Sequence, residues 1–254
     1  MFIDTHMHIG EDFGIKPDNY IKNALDNDVK IMIASFCEKE DLSLSTEYMD
    51  KYSCLYTCVG YHPEIADNIE EKDYKILEDT IKSNKKIIAI GEIGLDYYWN
   101  KDNKDKQKEV FRKQLELAEK LNLPVVIHTR DAINETYEIL KEYKVCGVMH
   151  CFSGSLEMAL KFIDLGYLIG IGGVLTFTNS KLYQVVENIP LESIVLETDS
   201  PYLSPVPKRG ETNESANIPI IAKKVSEIKN ISIEEVAKIT TKNALVLFDL
   251  NINL

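Results

Sequence analysis

The sequence lacks the segments that mark secreted and membrane proteins. No basic N-terminal stretch precedes an apolar core, and no apolar run reaches the roughly 18 residues that a membrane span needs. Cysteine is scarce as well, with five residues in no Cys-x-x-Cys pair, most of them in apolar runs. Unpaired, buried thiols are typical of a reducing compartment, so we expect a cytoplasmic protein with no membrane segment.

Positive charge is also in short supply. Lysine and arginine number 29 against 41 aspartate and glutamate residues, which gives a net charge of -12. A protein that coats nucleic acid non-specifically depends on many Lys and Arg contacts to phosphate, so this class is disfavoured. An enzyme that takes a nucleic-acid end into a metal site stays open, because bound cations supply local positive charge.

No internal repeat, low-complexity tract or linker divides the chain, and we therefore predict one domain over residues 1–254. Short β-rich runs alternate instead with longer helical patterns. Runs such as KIIAI and SIVLE are apolar almost without alternation, as expected for strands covered on both faces. The eight β-rich runs are 2–8, 30–36, 54–60, 86–92, 124–129, 145–150, 166–172 and 193–198.

Helical patterns fill the gaps between these runs. The clearest spans 106–121 and another spans 156–165. After a loop at 200–217, two more helical segments at 218–229 and 233–248 end the chain. Eight strands that alternate with helices predict an α/β fold with a parallel sheet, and eight is the number that closes a (β/α)8 TIM barrel.

Polar residues follow the predicted strands, at the end of the barrel where TIM barrels carry their chemistry. Asp4, His6 and His8 lie in phase on the first strand, so their side chains are expected to share a face. The other three histidines also follow strands, and two carboxylates join them. In chain order these residues are His62, Glu92, His128, His150 and Asp199.

Imidazoles and carboxylates gathered at one rim predict a metal site. One ion takes three or four protein ligands and keeps a position open, whereas six ligands suit two ions about 3.5–4 Å apart that share a carboxylate. Glu92, at the middle of the rim, is the natural bridge, and Asp4, deeper in its strand, is expected to support ligands rather than bind. The predicted ligands are His6, His8, Glu92, His128, His150 and Asp199.

Five motifs in register resemble the TatD family of metal-dependent deoxyribonucleases, part of the amidohydrolase superfamily. They are DTHMH at 4–8, GEIGLDYY at 91–98, VIHTRDA at 126–132, HCFSG at 150–154 and ETDSPYL at 197–203, and GYHP at 60–63 also fits. The resemblance implies divalent-metal-dependent hydrolysis of DNA phosphodiesters, often as a 3′–5′ exonuclease.

The resemblance also implies a division of the ligands between two ions. One ion would be held by His6, His8, Glu92 and Asp199, and the other by Glu92, His128 and His150. One departure is visible, because the family's Asn-Glu-Pro is replaced here by Asn213-Glu214-Ser215. This change leaves the ligands unaffected and puts the shape of the loop after strand eight in question.

Three side chains are expected to act in the reaction beside the bridging Glu92. Asp199 is the candidate to accept the proton of the attacking water, a role compatible with metal binding. Arg130 would offer a bidentate donor to the phosphate, or else pair with Asp131 or Asp96. His62 would bind the phosphate or protonate the leaving group, with a structural hydrogen bond as an equal alternative.

Aromatic and basic residues near the rim have two interpretations each. Tyr97, Tyr98 and Trp99 follow strand four and either stack a terminal base or pack into the fold. Lys208 and Arg209 lie in the loop after strand eight and either touch a nucleic-acid backbone or are merely solvated.

Two rival functions use the same residues. An amidohydrolase could cleave a small-molecule or aminoacyl-tRNA ester or amide, but relatives that bridge metals with a carboxylated lysine carry it where this chain has Glu92. Lys85 and Lys86 lie at the wrong end of that strand. A metal-storing barrel is disfavoured by Arg130 beside the ligands, and Cys151 is expected to be a small core residue rather than a nucleophile.

The cofactors and the substrate follow from this interpretation. We expect two divalent ions, with Mg²⁺ or Mn²⁺ doing the work, although a His-rich shell also suits Zn²⁺ or Ni²⁺. The expected substrate is DNA with single-stranded or frayed ends, and the expected oligomeric state is a monomer.

Overall fold

Eight parallel strands form one sheet in which each strand pairs with the next along the chain. The structure is a computed structural model that describes residues 1–10 and 16–250. The strands are β1 (Phe2–Met7), β2 (Val29–Phe36), β3 (Leu55–Val59), β4 (Ile87–Asp96), β5 (Val125–Arg130), β6 (Gly147–Met149), β7 (Tyr167–Ile171) and β8 (Ile194–Leu196).

The first and last strands close this sheet into a barrel. Met7 forms a parallel bridge with Ser200, and the His8 N–H donates to the Ser200 carbonyl at 2.7 Å. The Asp199 N–H donates to the His6 carbonyl at 3.0 Å. These contacts confirm the predicted (β/α)8 TIM barrel.

The eight predicted strands are all present, but their lengths differ from the sequence patterns. β4 continues past residue 92 because its pairing with β5 resumes after a register shift and runs on to Asp96 opposite Arg130. β8 ends at Leu196, earlier than predicted, and the chain leaves the extended conformation at Asp199, whose φ is 54°. The site residues therefore follow β8 on a turn rather than on the strand itself.

Helices cover the outside of the barrel, and the four predicted ones are observed with ends within about two residues. No helix in the described ranges is long and apolar enough to cross a membrane. The helices are α1 (Pro17–Asp26), α2 (Asp41–Lys51), α3 (Glu71–Ser83), α4 (Lys104–Leu121), α5 (Ile133–Leu140), α6 (Leu156–Asp164), α7 (Leu182–Asn188), α8 (Ile218–Lys229) and α9 (Ile233–Leu247).

Apolar side chains fix both faces of the sheet. Outside, α4 packs on β4 and buries Val110, Phe111, Leu115 and Ala118 at helical spacing. A separate cluster draws one or more apolar residues from each of several strands. This cluster, which supports the rim from below, includes Ile3, Ile33, Cys58, Ile88, Val126, Val148 and Val195.

Two buried glutamines of α4 hold the backbone at the rim. Gln114 accepts a hydrogen bond from the Tyr61 N–H at 2.7 Å and donates to the Tyr61 carbonyl at 3.0 Å. Gln107 makes the same pair of bonds with Asp96, at 2.8 and 2.9 Å. The helix thereby fixes the residue before His62 and the end of β4.

Replacing Gln114 with leucine should lower the free energy of unfolding by about 2 kcal/mol or more, because a buried N–H and a buried carbonyl of Tyr61 both lose their partner. Urea denaturation followed by circular dichroism measures the change. Gln184→Leu, on the exposed face of α7, is the matched control. A loss below about 0.5 kcal/mol, the usual range of a surface substitution, would contradict the expectation.

Candidate metal centre

Glu92 lies at the centre of the predicted ligand set. Its Oε1 atom is 2.7 Å from His128 Nδ1 and 3.8 Å from His150 Nε2, whereas its Oε2 atom is 3.4 Å from His6 Nε2. The residue is only 4% exposed. The two oxygens of one buried carboxylate therefore face different histidines, which is what a bridging ligand requires.

Asp199 lies close to three histidines of the set. Its Oδ1 atom is 3.5 Å from His150 Nε2, 3.6 Å from His8 Nε2 and 3.8 Å from His6 Nε2. The Nε2 atoms of His6 and His8 are 3.4 Å apart. The side chains of His6, in β1, and of His8, one residue beyond its end, thus converge on one point.

His62 lies closer to the ligands than its position in the sequence suggested. It precedes a short 3-10 helix (Pro63–Asn68), and its Nδ1 atom accepts a hydrogen bond from the Glu64 N–H at 3.3 Å. Its Nε2 atom is 3.8 Å from Glu92 Oε1. Burial lowers the pKa of His62 to about 4.

Four groups of three side chains have candidate donor atoms within 4.8 Å of one another, and three of the groups contain Glu92 or Asp199, whereas the fourth is His150–Cys151–Glu197. Those three are His6–His8–Glu92, His6–His150–Asp199 and His62–Glu92–His128. The resemblance implied His150 as the companion of His128. In the structure His62 and His150 both lie 3.8 Å from the Glu92 oxygen that faces His128, and His150 is also 3.5 Å from Asp199.

Opposite charges set the pKa values inside the cluster. Burial alone would raise the pKa of Glu92 and of Asp199, but the neighbouring histidines outweigh it and hold both below their usual values. Burial would lower the pKa of His128, yet contacts with Asp96 and Glu92 raise it to about 9. His150 is likewise raised, by Glu197 and Glu92. The carboxylates thus stabilise positive charge at this rim.

Asp96 lies beside the cluster, whereas the sequence suggested it only as a partner for Arg130. Its Oδ2 atom is 2.9 Å from His128 Nε2, and its Oδ1 atom accepts hydrogen bonds from the Tyr98 and Trp99 N–H groups at 2.9 and 3.1 Å. A carboxylate beside the outer nitrogen of a histidine fixes the ring and its tautomer. The sequence pattern ended β4 at residue 92, so it did not place Asp96 on the strand beside His128.

Glu197 was missed altogether. It is fully buried, its Oε1 atom lies 3.2 Å from His150 Nδ1, and it accepts a hydrogen bond from the Cys151 N–H. This carboxylate holds His150 so that the opposite nitrogen faces Asp199 and Glu92. Its spacing of two residues from Asp199 was an available signal. Burial raises the pKa of the Cys151 thiol, which agrees with the expectation that it is no nucleophile.

Asp4 supports the rim without touching the imidazoles. Its carboxylate accepts hydrogen bonds from the Thr198 N–H at 2.9 Å and the Thr198 hydroxyl at 2.6 Å. Burial raises the pKa of Asp4 to about 7. The pairing of β1 with β2 shifts register between Asp4 and Met7.

The loop after β8 is fastened by Asn213. Its side-chain N–H groups donate to the Thr198 carbonyl at 2.8 Å and the Tyr202 carbonyl at 2.7 Å. The first residue of the Asn213-Glu214-Ser215 segment therefore holds the turn that carries Asp199. Lys208 and Arg209 pack locally, on Glu214 and on the Phe177 ring, and neither lines the cleft above the cluster.

A cleft of about 1340 Å³ opens over the cluster, and Arg130 stands at its wall. The Arg130 guanidinium lies 3.7 Å from the centre of the Tyr98 ring. Among the described residues Arg130 forms no ion pair with an acidic side chain, and Asp96 pairs with His128 instead. The phosphate-binding interpretation of Arg130 thus keeps its geometric basis.

The cluster fits divalent cations by its donor chemistry. Five imidazoles and two carboxylates converge at the barrel mouth, and cations of the Zn²⁺, Mn²⁺ or Ni²⁺ type accept such mixed nitrogen and oxygen ligands. The carboxylates that raise the pKa of His128 and His150 would also attract a bound cation. That cation would displace the protons of the two histidines.

Comparisons with known proteins agree with this geometry. Residues 3–249 match the family model described as TatD related DNase. The uncharacterized metal-dependent hydrolase YabD of Bacillus subtilis is 38% identical, over 99% of this chain and 100% of its own length.

Two solved structures extend the comparison. The crystal structure of YjjV, a TatD homologue from Escherichia coli, has a TM-score of 0.91 at 29% identity and covers 98% of each chain. A TatD family hydrolase from Entamoeba histolytica has a TM-score of 0.88 at 26% identity and covers 97% of each chain.

The barrel, its histidine and carboxylate cluster and these relatives define a metal-dependent hydrolase. Within that class the match runs through nearly the whole chain, and the matched range spans every position of the cluster. The chain belongs to the TatD family.

Proposed function

We propose that this protein hydrolyses phosphodiester bonds of DNA with two divalent cations at the barrel mouth. The observation that carries the proposal is Glu92, whose two oxygens face His6 on one side and His128 on the other. One cation would be held by His6, His8, Glu92 and Asp199, and the other by Glu92, His128 and His150. Divalent cations bound there lower the pKa of a water molecule and neutralise charge on a phosphate.

Asp199 and His62 supply the proton handling and the phosphate contact in this proposal. The lowered pKa of Asp199 keeps it ionised, so that it can orient the attacking water and accept its proton. The Glu64 N–H occupies Nδ1 of His62, which leaves the ring proton on Nε2, facing the cluster. This tautomer suits a hydrogen bond to a phosphate oxygen better than proton donation to the leaving group.

A single strand or a frayed end is the substrate form that we propose, with 3′–5′ exonuclease action as the resemblance implies. Glu92 is 4% exposed, at the floor of a cleft within one barrel. A scissile phosphate must descend into this cleft, which a flexible single strand can do and a stacked duplex cannot without opening. Mg²⁺ or Mn²⁺ is proposed as the working ion.

The remaining proposals concern the state of the protein. Every ligand of the cluster comes from one chain, which supports a monomer that needs no second copy to complete its site. The five free thiols support a cytoplasmic location.

The test is hydrolysis of a labelled single-stranded oligonucleotide across a panel of divalent ions, with and without chelator, beside a neutral carboxylic ester. We expect ion-dependent cleavage of the oligonucleotide and negligible cleavage of the ester. Cleavage of the ester alone would overturn the proposal in favour of the small-molecule or aminoacyl-ester hydrolase.

Replacing Arg130 with alanine should raise the KM for the oligonucleotide by about tenfold or more, because a charge-assisted, bidentate contact to phosphate is lost. The measurement is KM and kcat for the oligonucleotide with wild type and variant. Arg209→Ala, outside the cleft, is the matched control. An unchanged KM for Arg130→Ala would remove Arg130 from phosphate binding.

A further inference from the structure

We propose that Tyr98 and Trp99 form a nucleobase-binding subsite that stacks a base of single-stranded DNA next to the metal centre. The inference rests on the proposed function, because it names how the same site takes hold of its substrate. It concerns the GEIGLDYYW segment, whose aromatic residues were left with two interpretations by the sequence.

The three consecutive aromatic residues do different things. Tyr97 is buried, and its hydroxyl donates to Glu135 at 2.7 Å, so it belongs to the packing of the fold. Tyr98 and Trp99 instead remain 51% and 63% exposed. A large exposed aromatic pair needs a reason, since burial of both would have been favourable.

The exposed pair is fixed to the metal centre through one carboxylate. Asp96 Oδ1 accepts the backbone N–H groups of both Tyr98 and Trp99, while its Oδ2 atom contacts His128. Trp99 also lines the cleft over the cluster. The turn that carries the two rings is therefore tied by its backbone to a carboxylate that contacts a candidate metal ligand.

Arg130 adds the charge that a nucleotide requires. Its guanidinium covers the Tyr98 ring at 3.7 Å and lies 5.5 Å from the Trp99 ring centre. The Tyr98 and Trp99 rings meet edge to face at 4.9 Å. A base stacked on Trp99 would thus lie beside a cation placed for its own phosphate, and stacking tolerates any base because each has a π face.

A second aromatic side chain borders the same cleft. Tyr202 is 53% exposed, and its ring centre is 6.1 Å from that of His8, among the ligands held near Asp199. The Trp99 subsite, by contrast, adjoins His128. Of the two we assign the base to Trp99, because the Arg130 guanidinium lies beside that exposed ring and Asp96 ties the Trp99 backbone to His128.

Trp99 reports on its own occupancy, because it is the only tryptophan of the chain. The probes are an oligothymidylate and a base-free deoxyribose phosphate oligomer of the same length, both with phosphorothioate linkages to slow turnover. We expect the oligothymidylate to quench tryptophan fluorescence and the base-free oligomer to leave it nearly unchanged. Equal responses to both probes, or none to either, would overturn the subsite.

Steady-state kinetics supply the second readout, now with ordinary phosphodiester linkages. Trp99→Ala should raise the KM for oligothymidylate by about 5- to 100-fold, the range of one lost base stack, with a much smaller effect on kcat. The KM for the base-free oligomer should stay within about twofold of wild type, as should both values for Tyr183→Ala, an exposed tyrosine on α7. Equal KM changes on both oligomers would overturn the subsite.

The two hypotheses fail in different ways. If the proposed function is wrong, the wild-type protein hydrolyses neither oligomer, and the fluorescence titration alone decides the subsite. If only the subsite is wrong, the wild-type protein hydrolyses both oligomers and Trp99→Ala does not distinguish them.

Discussion

Glu92→Gln should lower hydrolysis of single-stranded DNA by about 1000-fold or more while the fold stays intact. Glutamine keeps the size of the side chain and one carbonyl oxygen, but it removes the negative charge and one of the two acceptor oxygens. A factor of about 1000 corresponds to about 4 kcal/mol of activation free energy, which is the scale of losing metal-based charge stabilisation.

The structure explains why this carboxylate should matter more than its neighbours. His6 approaches one oxygen of Glu92, and His62, His128 and His150 all approach the other. A neutral amide presents a donor on one side, and that donor would repel whichever cation it faces. Both ions of the proposed pair are therefore affected by one substitution.

The measurement compares kcat/KM for the oligonucleotide, thermal melting and metal content for wild type and variant. Glu38→Gln is the matched control, because Glu38 is an exposed carboxylate on the same cleft. Wild-type activity of Glu92→Gln at saturating metal would remove Glu92 from the centre and with it the two-cation proposal.

The sequence was a good guide to the barrel because its signals are local. Each strand is a short apolar run and each helix an amphipathic stripe, so the order of elements follows from periodicity alone. The ends were harder. The pairing of Asp96 with Arg130 across β4 and β5 depends on a register shift, which is a property of two strands together.

The site residues also divide into those predictable from local sequence and those that depend on tertiary contacts. His6 and His8 were predictable as a converging pair because they lie two residues apart at the end of one apolar run. The position of His62 beside His128 was not predictable from the sequence. It depends on the Pro63–Asn68 helix and on the hydrogen bonds by which Gln114 of α4 holds the Tyr61 backbone. The role of Glu197 was not predicted from the sequence. Its contact with His150 joins residues that are far apart along the chain, so only the tertiary structure shows it.

Asp199→Asn should lower kcat by about 100-fold or more even at saturating Mn²⁺. Asparagine retains an oxygen that can face His8 and His150, but it cannot accept a proton, and loss of a general base costs about 100- to 10,000-fold in rate. The low pKa of Asp199 adds a condition: the carboxylate is a weak base, so the acidity of the water must come from the bound cations.

Glu197→Gln provides the comparison that separates binding from chemistry. Glu197 lies two residues from Asp199 but acts on the far side of His150, so its loss should weaken metal affinity by about 10- to 100-fold and leave kcat nearly unchanged once Mn²⁺ is saturating. The measurement is kcat as a function of Mn²⁺ concentration for both variants, with metal content determined in parallel. Saturating Mn²⁺ should rescue Glu197→Gln and leave Asp199→Asn impaired. Full rescue of Asp199→Asn would reduce Asp199 to a ligand and assign proton transfer to another group.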